Sequence, residues 1–224
     1  VMIMKKTALA LLLALVIPLT ALADKTAEEV FKEFENREIA FSDMAGFEWA
    51  QTAVCALAGD GIVSGYGDGT FRPSDSVSKI EFIKMAVGAC SLLDKSAQCL
   101  YADVPKDSWG YPYAASAKKC GMLDIYSDKS LGADEDISRE DMAYIAKKAL
   151  EFAGFTFGGA APFEDEAEIA EYAQDAALAL RSEGIIGGFP DGTFKPQATA
   201  TRAEAAKIIY NTMQKAAEIY LRED

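Results

Sequence analysis

Apolar residues recur along this chain with the spacing of helices that have one buried face. Phe82, Ile83, Ala86 and Val87, then Met142, Ile145, Ala146 and Leu150, then Ala205, Ile208, Ile209 and Met213 follow the three- and four-residue steps of a helical stripe. Upstream of the first stripe, Phe47 to Ala58 reads as a shorter helix with Trp49, Ala50, Ala53, Val54 and Leu57 on its buried side, stopped by Gly59 and Gly61. The stretch between the two is too short and too Gly-rich for more than a tight loop or a small hairpin. A different pattern opens the chain. Lys5 and Lys6 precede an apolar run from Ala8 to Leu19, interrupted by Pro18 and closed by Ala21-Leu22-Ala23. No face is marked on it and it is short for a membrane span, so residues 1–23 read as a secretory signal peptide with a small-residue cleavage site. Residues 24–40, which carry Phe31, Phe34 and Ile39 among charges, read as a short helix or an arm that packs on the bundle or reaches a partner.

The helix pairs belong to a repeat. Gly-Ile-Val-Ser-Gly-Tyr-Gly-Asp-Gly-Thr-Phe-Arg-Pro runs from Gly61 to Pro73 and returns as Gly-Ile-Ile-Gly-Gly-Phe-Pro-Asp-Gly-Thr-Phe-Lys-Pro from Gly184 to Pro196. A worn copy lies between them, from Gly121-Met122-Leu123 through Leu131 to Ser138-Arg139-Glu140-Asp141-Met142. Matching front halves run from Phe41-Ser42-Asp43 to Trp49, from Tyr101-Ala102-Asp103 to Trp109, and, with one extra residue, from Phe163-Glu164-Asp165 to Tyr172. The unit is about 60 residues long and occurs three times, over 41–98, 99–160 and 161–214, with 215–224 extending the last helix. A two-helix unit of this size buries too little surface alone, so the three are expected to close on one another as a single all-α, pseudo-threefold domain. Asp68-Gly69 and Asp191-Gly192 predict tight turns, with the glycine at positive φ and Phe71 or Phe194 tucked back onto the core.

Each second helix opens on a capping box: Ser78 with Glu81, Ser138 with the shorter and poorer Asp141, Thr201 with Glu204. Between cap and acid stands a cation, Lys79, Arg139 or Arg202, at the first helical position, where the helix dipole disfavours it. The same unfavourable choice in each unit indicates another demand. One answer is a receptor for a carboxylate or phosphate, in which the cation works beside free helix N–H groups. The other is a salt bridge to a neighbouring unit's Asp43, Asp103 or Asp165; both readings stand at this stage.

Composition narrows the chemistry. The chain has no histidine, which excludes Ser-His-Asp and Cys-His nucleophilic catalysis and most zinc sites. Its net charge of −13 becomes about −15 once Lys5 and Lys6 are removed, so its overall field will not hold it to nucleic acid or to an anionic membrane. Any anion it binds needs a local basic site. The acidic Gly-rich loops lack the ligand spacing of a calcium loop. No cofactor is expected. Cys55, Cys90, Cys99 and Cys120 lie in the first two units, and an even count in an exported chain favours up to two disulfides with three possible pairings. Cys90 with Cys99 would close the shortest loop; four buried apolar thiols are the alternative.

The aromatic-x-Asp start, the Trp-led helix, the Gly-rich Asp-Gly-Thr-Phe-x-Pro loop and the Thr-Arg-Ala-Glu helix start at Thr201 resemble the S-layer homology domain, three times over. The resemblance implies a non-enzymatic module, secreted to the cell surface without a transmembrane helix in the mature chain. It would dock non-covalently on wall-linked secondary polysaccharide, typically pyruvylated, in grooves between units. On that resemblance Arg139, Arg202 and, less faithfully, Lys79 would meet the pyruvyl carboxylate. Gly65 and Gly188 would leave room for the sugar, and Trp49 and Trp109 would cover a ring face, core packing being the alternative for both tryptophans. The second unit departs from the pattern, with Ile125, Lys129, Leu131 and Ala133 standing where the first has Gly65, Gly69, Phe71 and Pro73. One or two working grooves are therefore expected. A second function class is a surface assembly protein that uses the fold to bind another surface protein, favoured by the absence of a cargo domain in this sequence. A glycan-cleaving enzyme is a third, and no carboxylate pair stands out for it.

Overall fold

The computed structural model describes residues 40–221, leaving the signal peptide, nearly all of the lead-in and residues 222–224 outside the described residues. Six α-helices and a 3₁₀ turn carry them: α1 (Glu48–Gly59), α2 (Lys79–Ala89), α3 (Tyr111–Lys119), α4 (Arg139–Ala153), the 3₁₀ turn Glu166–Glu168, α5 (Glu171–Ser182) and α6 (Arg202–Leu221). The fold is all-α, as expected.

The long stripes pack at the centre, where α2, α4 and α6 touch one another. Phe82, Ile83, Met142, Ile145, Leu150 and Ile209 are fully buried there. Each short helix lies on its neighbour's long helix, so that α3 packs on α2, α5 on α4 and α1 on α6. Threefold closure is visible in the backbone ahead of the long helices. The Val77 N–H donates to the Ala200 carbonyl (3.3 Å), the Ala200 N–H to Ile137 (3.3 Å) and the Ile137 N–H to Val77 (2.9 Å), a ring of hydrogen bonds through equivalent positions. All three residues are buried.

This ring decides how the long helices begin. Arg202 and Ala203 donate their N–H groups to the carbonyls of Asp75 and Pro73; Arg139 and Glu140 donate theirs to Ala198 and Pro196; Lys79 and Ile80 donate theirs to Glu135 and Ala133. The third N–H of each helix goes to the cap hydroxyl of Ser78, Ser138 or Thr201. The N–H groups expected to stand free for an anion are thus consumed by neighbouring units and caps, which corrects that part of the receptor reading. It also accounts for Ala133 in place of proline, because the position supplies a carbonyl, which any residue has.

The capping boxes differ as the side-chain lengths dictate. Glu81 Oε2 accepts from the Ser78 N–H (2.9 Å) and hydroxyl (3.0 Å), and Glu204 Oε2 does the same for Thr201 (2.9 Å each). Asp141, one methylene shorter, accepts instead from the Tyr126 and Tyr172 hydroxyls at 2.7 and 2.6 Å, so the second box is half formed. Among the described residues, which include all four cysteines, no disulfide is present. The Cys90–Cys99 pairing that the short spacing favoured is not formed: all four cysteines are thiols, and the Cys99 backbone is held by the Tyr111 hydroxyl.

Candidate functional site

The front-half aspartates fold the Gly-rich loops. Asp43 accepts the N–H groups of Phe71 (2.8 Å) and Arg72 (2.7 Å), Asp103 those of Leu131 (3.0 Å) and Ala133 (2.9 Å), and Asp165 those of Phe194 and Lys195 (2.7 Å each). Each carboxylate clamps the return of its own loop, and among the described residues none forms a salt bridge with a helix-start cation. The salt-bridge reading fails for these partners: each carboxylate serves its loop backbone, while the cations are engaged with Glu135, Glu204 and two loop carbonyls. Inside the first and third loops Asp68 and Asp191 each accept the N–H and hydroxyl of the threonine two residues on, with Gly69 and Gly192 at φ 82°. Phe71 and Phe194 are buried as the turn requires.

Gly65 and Gly188 are small for an internal reason. A Cβ on Gly65 would overlap the Phe41 ring and lie 2.7 Å from the Thr70 carbonyl oxygen; one on Gly188 would meet Phe163 and the Thr193 oxygen, both at 2.8 Å. In the first and third units the glycine lets the aromatic that begins the unit press against the loop backbone.

The helix-start cations each reach into a different unit's loop, and their fates differ. Arg202 enters the first loop. Its Nε donates to the Phe71 carbonyl (2.9 Å) and its Nη2 to that of Ser64 (2.9 Å), with the guanidinium over the Phe71 ring at 4.6 Å. Arg139 enters the third loop in the same way, Nε to the Phe194 carbonyl (2.7 Å), but its Nη1 is bound to Glu204 Oε1 (2.9 Å) and it is only 5% exposed. Burial pulls the Arg139 guanidinium below its ordinary value, against the pull of Glu204 and Asp165. Lys79 reaches the second loop and pairs with Glu135 (2.7 Å). Among the described residues, Arg202 alone of the three cations has no carboxylate partner.

Arg202 also lines a cavity of about 300 Å³, whose other walls include Ser64, Gly65, Tyr66, Glu81, Lys84, Met85 and Trp109. First loop, second-unit aromatic and third-unit cation meet there. Trp109 is 57% exposed, so the core-packing alternative fails for it; Trp49, 51% exposed at the start of α1, is likewise no core residue although its helical position suggested one. Tyr172, the third unit's counterpart, is committed to Asp141. The corresponding space at the second loop is filled from within. Tyr126 turns inward to Asp141, and burial, reinforced by that carboxylate, pushes its phenol far above the ordinary tyrosine range.

Sequence reasoning did not single out Tyr66, Lys84 or Met85. For Tyr66 a signal existed, since an aromatic stands at the same place in every loop as Tyr66, Tyr126 and Phe189. Lys84 and Met85 sit on α2 within the stretch read only as core stripe, and their turn toward the cavity follows from where α3 packs.

The chain is thus a repeat-built helical module whose units are joined through their loops and helix starts. The S-layer homology domain model matches residues 40–83 and 162–206, and the chain belongs to the S-layer homology family, a family of the cell surface, where this protein resides. It is 30% identical over 183 residues to exoglucanase XynX of Acetivibrio thermocellus, covering 80% of this chain and 17% of that protein. It is 25% identical to the cellulosome-anchoring protein of the same organism (68% of this chain, 35% of that protein) and 26% identical to S-layer protein EA1 of Bacillus anthracis (78% and 20%). The chain therefore spans about a third or less of the length of these relatives. The two family matches leave out the second unit, the one whose loop is rebuilt around Tyr126.

Proposed function

We propose that this chain is a non-catalytic wall anchor that binds an anionic, pyruvylated secondary polysaccharide in the cavity between Arg202 and Trp109. The observation that carries the reading is the state of Arg202. Two carbonyls fix its guanidinium, and among the described residues no carboxylate neutralises it and no acceptor meets its Nη1. A fixed guanidinium at the edge of an open cavity is well suited to a ketal carboxylate, and Lys84 adds a second positive charge to the same wall. Trp109, more than half exposed, offers an apolar face for a sugar ring, with Tyr66 beside it under the Arg72 guanidinium (3.8 Å), and 300 Å³ is at the small end of ligand sites, room for one or two residues of a chain. The names of the relatives, an S-layer protein and a cellulosome-anchoring protein among them, point the same way.

On this reading the Arg139 position, buried and neutralised by Glu204, serves assembly of the units, and the second loop with Lys79 and Tyr126 binds no sugar. The test is co-sedimentation with purified wall sacculi before and after chemical removal of the secondary polymers. Binding should vanish with the polymers and drop roughly tenfold or more in Arg202→Ala, the loss of a charge-assisted contact worth about 1.5–3 kcal/mol. Equal pelleting with stripped walls would overturn the reading and favour a protein partner on the surface.

A further inference from the structure

We infer that Cys90 and Cys120 become a disulfide at the oxidising cell surface, a covalent staple between the first two units. The structure describes the dithiol form. Cys90 ends α2 and Cys120 ends α3, helices that lie side by side and run in the same direction. At their starts they touch closely: a Cβ on Gly110 would lie 2.5 Å from Ile80. Cys90 stands ten residues beyond Ile80 and Cys120 ten beyond Gly110, so the two cysteines reach the same level along the pair.

The far ends are stitched together. The Asp94 N–H donates to Ser116 Oγ (2.9 Å), that hydroxyl lies 3.3 Å from the Asp94 carbonyl, and Lys119 pairs with the Asp94 carboxylate. Cys120 follows Ser116 by one helical turn and so shares the face that the chain after Cys90 covers. That chain is held tight at its start, with Ser91 at φ 53°, its N–H on the Gly88 carbonyl and the Leu92 N–H on Val87. Electrostatics agrees with the placement: burial first, and then the neighbouring Cys120, push the Cys90 thiol up to about 12. The competing cysteines lie elsewhere, Cys99 with its backbone on Tyr111 and Cys55 on α1, which packs on α6.

The chemistry is exchange with an external disulfide, low-molecular-weight or protein-borne. The Cys120 thiolate, on the more accessible residue of the two, attacks one sulfur of the oxidant and expels the other as thiolate, leaving a mixed disulfide. Cys90 then gives up its proton to water and attacks the Cys120 sulfur, expelling the second oxidant thiolate. Two protein thiols become one disulfide, and one oxidant disulfide becomes two thiols.

The first readout uses the wild-type chain alone. The purified mature chain is incubated in oxidised glutathione, denatured in N-ethylmaleimide without reductant, digested and mapped by mass spectrometry. The expected result is a Cys90–Cys120 cross-linked peptide, lighter than its parts by two hydrogens, with labels on Cys55 and Cys99 only. Four labelled cysteines, or a cross-link through Cys55 or Cys99, would overturn the assignment. In the same preparation, reductant should lower the unfolding midpoint of the wild type and leave that of Cys120→Ser unchanged; no shift in the wild type would refute the staple. Neither readout uses wall binding, so the assignment stands or falls apart from the proposed function.

Discussion

Replacing Asp103 with alanine should destabilise the protein by about 2 kcal/mol, even though the residue is exposed and sits in the unit that the family model leaves out. Its two carboxylate oxygens accept the N–H groups of Leu131 and Ala133, both buried residues. Without the carboxylate those donors have no replacement acceptor unless the loop opens to water, and each orphaned N–H costs about 1–3 kcal/mol, taken at the low end because solvent reaches the carboxylate. Asparagine keeps one acceptor and turns an amide against the second donor, so Asp103→Asn should lose about half as much. Urea unfolding followed by circular dichroism measures the effect as a lower midpoint at unchanged slope. pH supplies an independent check. Burial acts to raise the Asp103 carboxyl, but the N–H groups of Ala133 and Leu131, with those of Asp103 itself and Gly132, outweigh it and hold the group below its ordinary value. A depressed folded-state value contributes stability above the unfolded pKa, about 3.9, and loses it as pH falls through the folded value. The gap between wild type and Asp103→Ala should therefore be full at pH 7 and shrink below about pH 4. A loss under about 0.5 kcal/mol at pH 7, within the range of ordinary surface substitutions, would refute the clamp.

Other substitutions separate features that look alike in sequence. Glu204→Ala should lose about 3 kcal/mol or more because it strands the buried Arg139, whereas Glu81→Ala should lose only a cap, about 1 kcal/mol, as compared by urea midpoints. Gly65→Ala, which drives a Cβ into Phe41 and the Thr70 oxygen, should lower stability by about 1–3 kcal/mol, while Gly67→Ala, with open space around it, should change it by less than about 1 kcal/mol in the same thermal melts. Tyr126→Phe should lose about 1 kcal/mol of stability through the Asp141 hydrogen bond and leave sacculus binding unchanged, since its loop holds no sugar on this account.

Much of the architecture could be read without coordinates because it is periodic. The stripes through Phe82, Met142 and Ala205, the hydroxyl caps at Ser78, Ser138 and Thr201, and the Asp-Gly turns are local signals, and each lies where its spacing put it. What escaped was the identity of the partners, above all of those in another unit. The carbonyls of Pro73, Ala133 and Pro196 that close the helix starts are more than 50 residues from the N–H groups they accept, or run backwards across the threefold ring, and no side-chain pattern marks a carbonyl. The same ambiguity hid the difference between Arg139 and Arg202. Both follow a cap and precede an alanine or an acid, and it is the burial of one guanidinium beside Glu204 that sets their surroundings apart. Trp49 shows the opposite failure: its place in a helical pattern suggested burial, but the start of α1 lies at the rim, where a large ring remains half in solvent.

The central claim is that a single groove, built around Arg202, holds the wall polymer. Isothermal titration of the purified secondary polysaccharide into the mature chain and into Arg202→Ala, both checked for equal unfolding midpoints, addresses it most directly. The account predicts one class of site per chain in the wild type and binding at least about tenfold weaker in the variant. Wild-type affinity retained in Arg202→Ala, or three equivalent sites per chain, would contradict it.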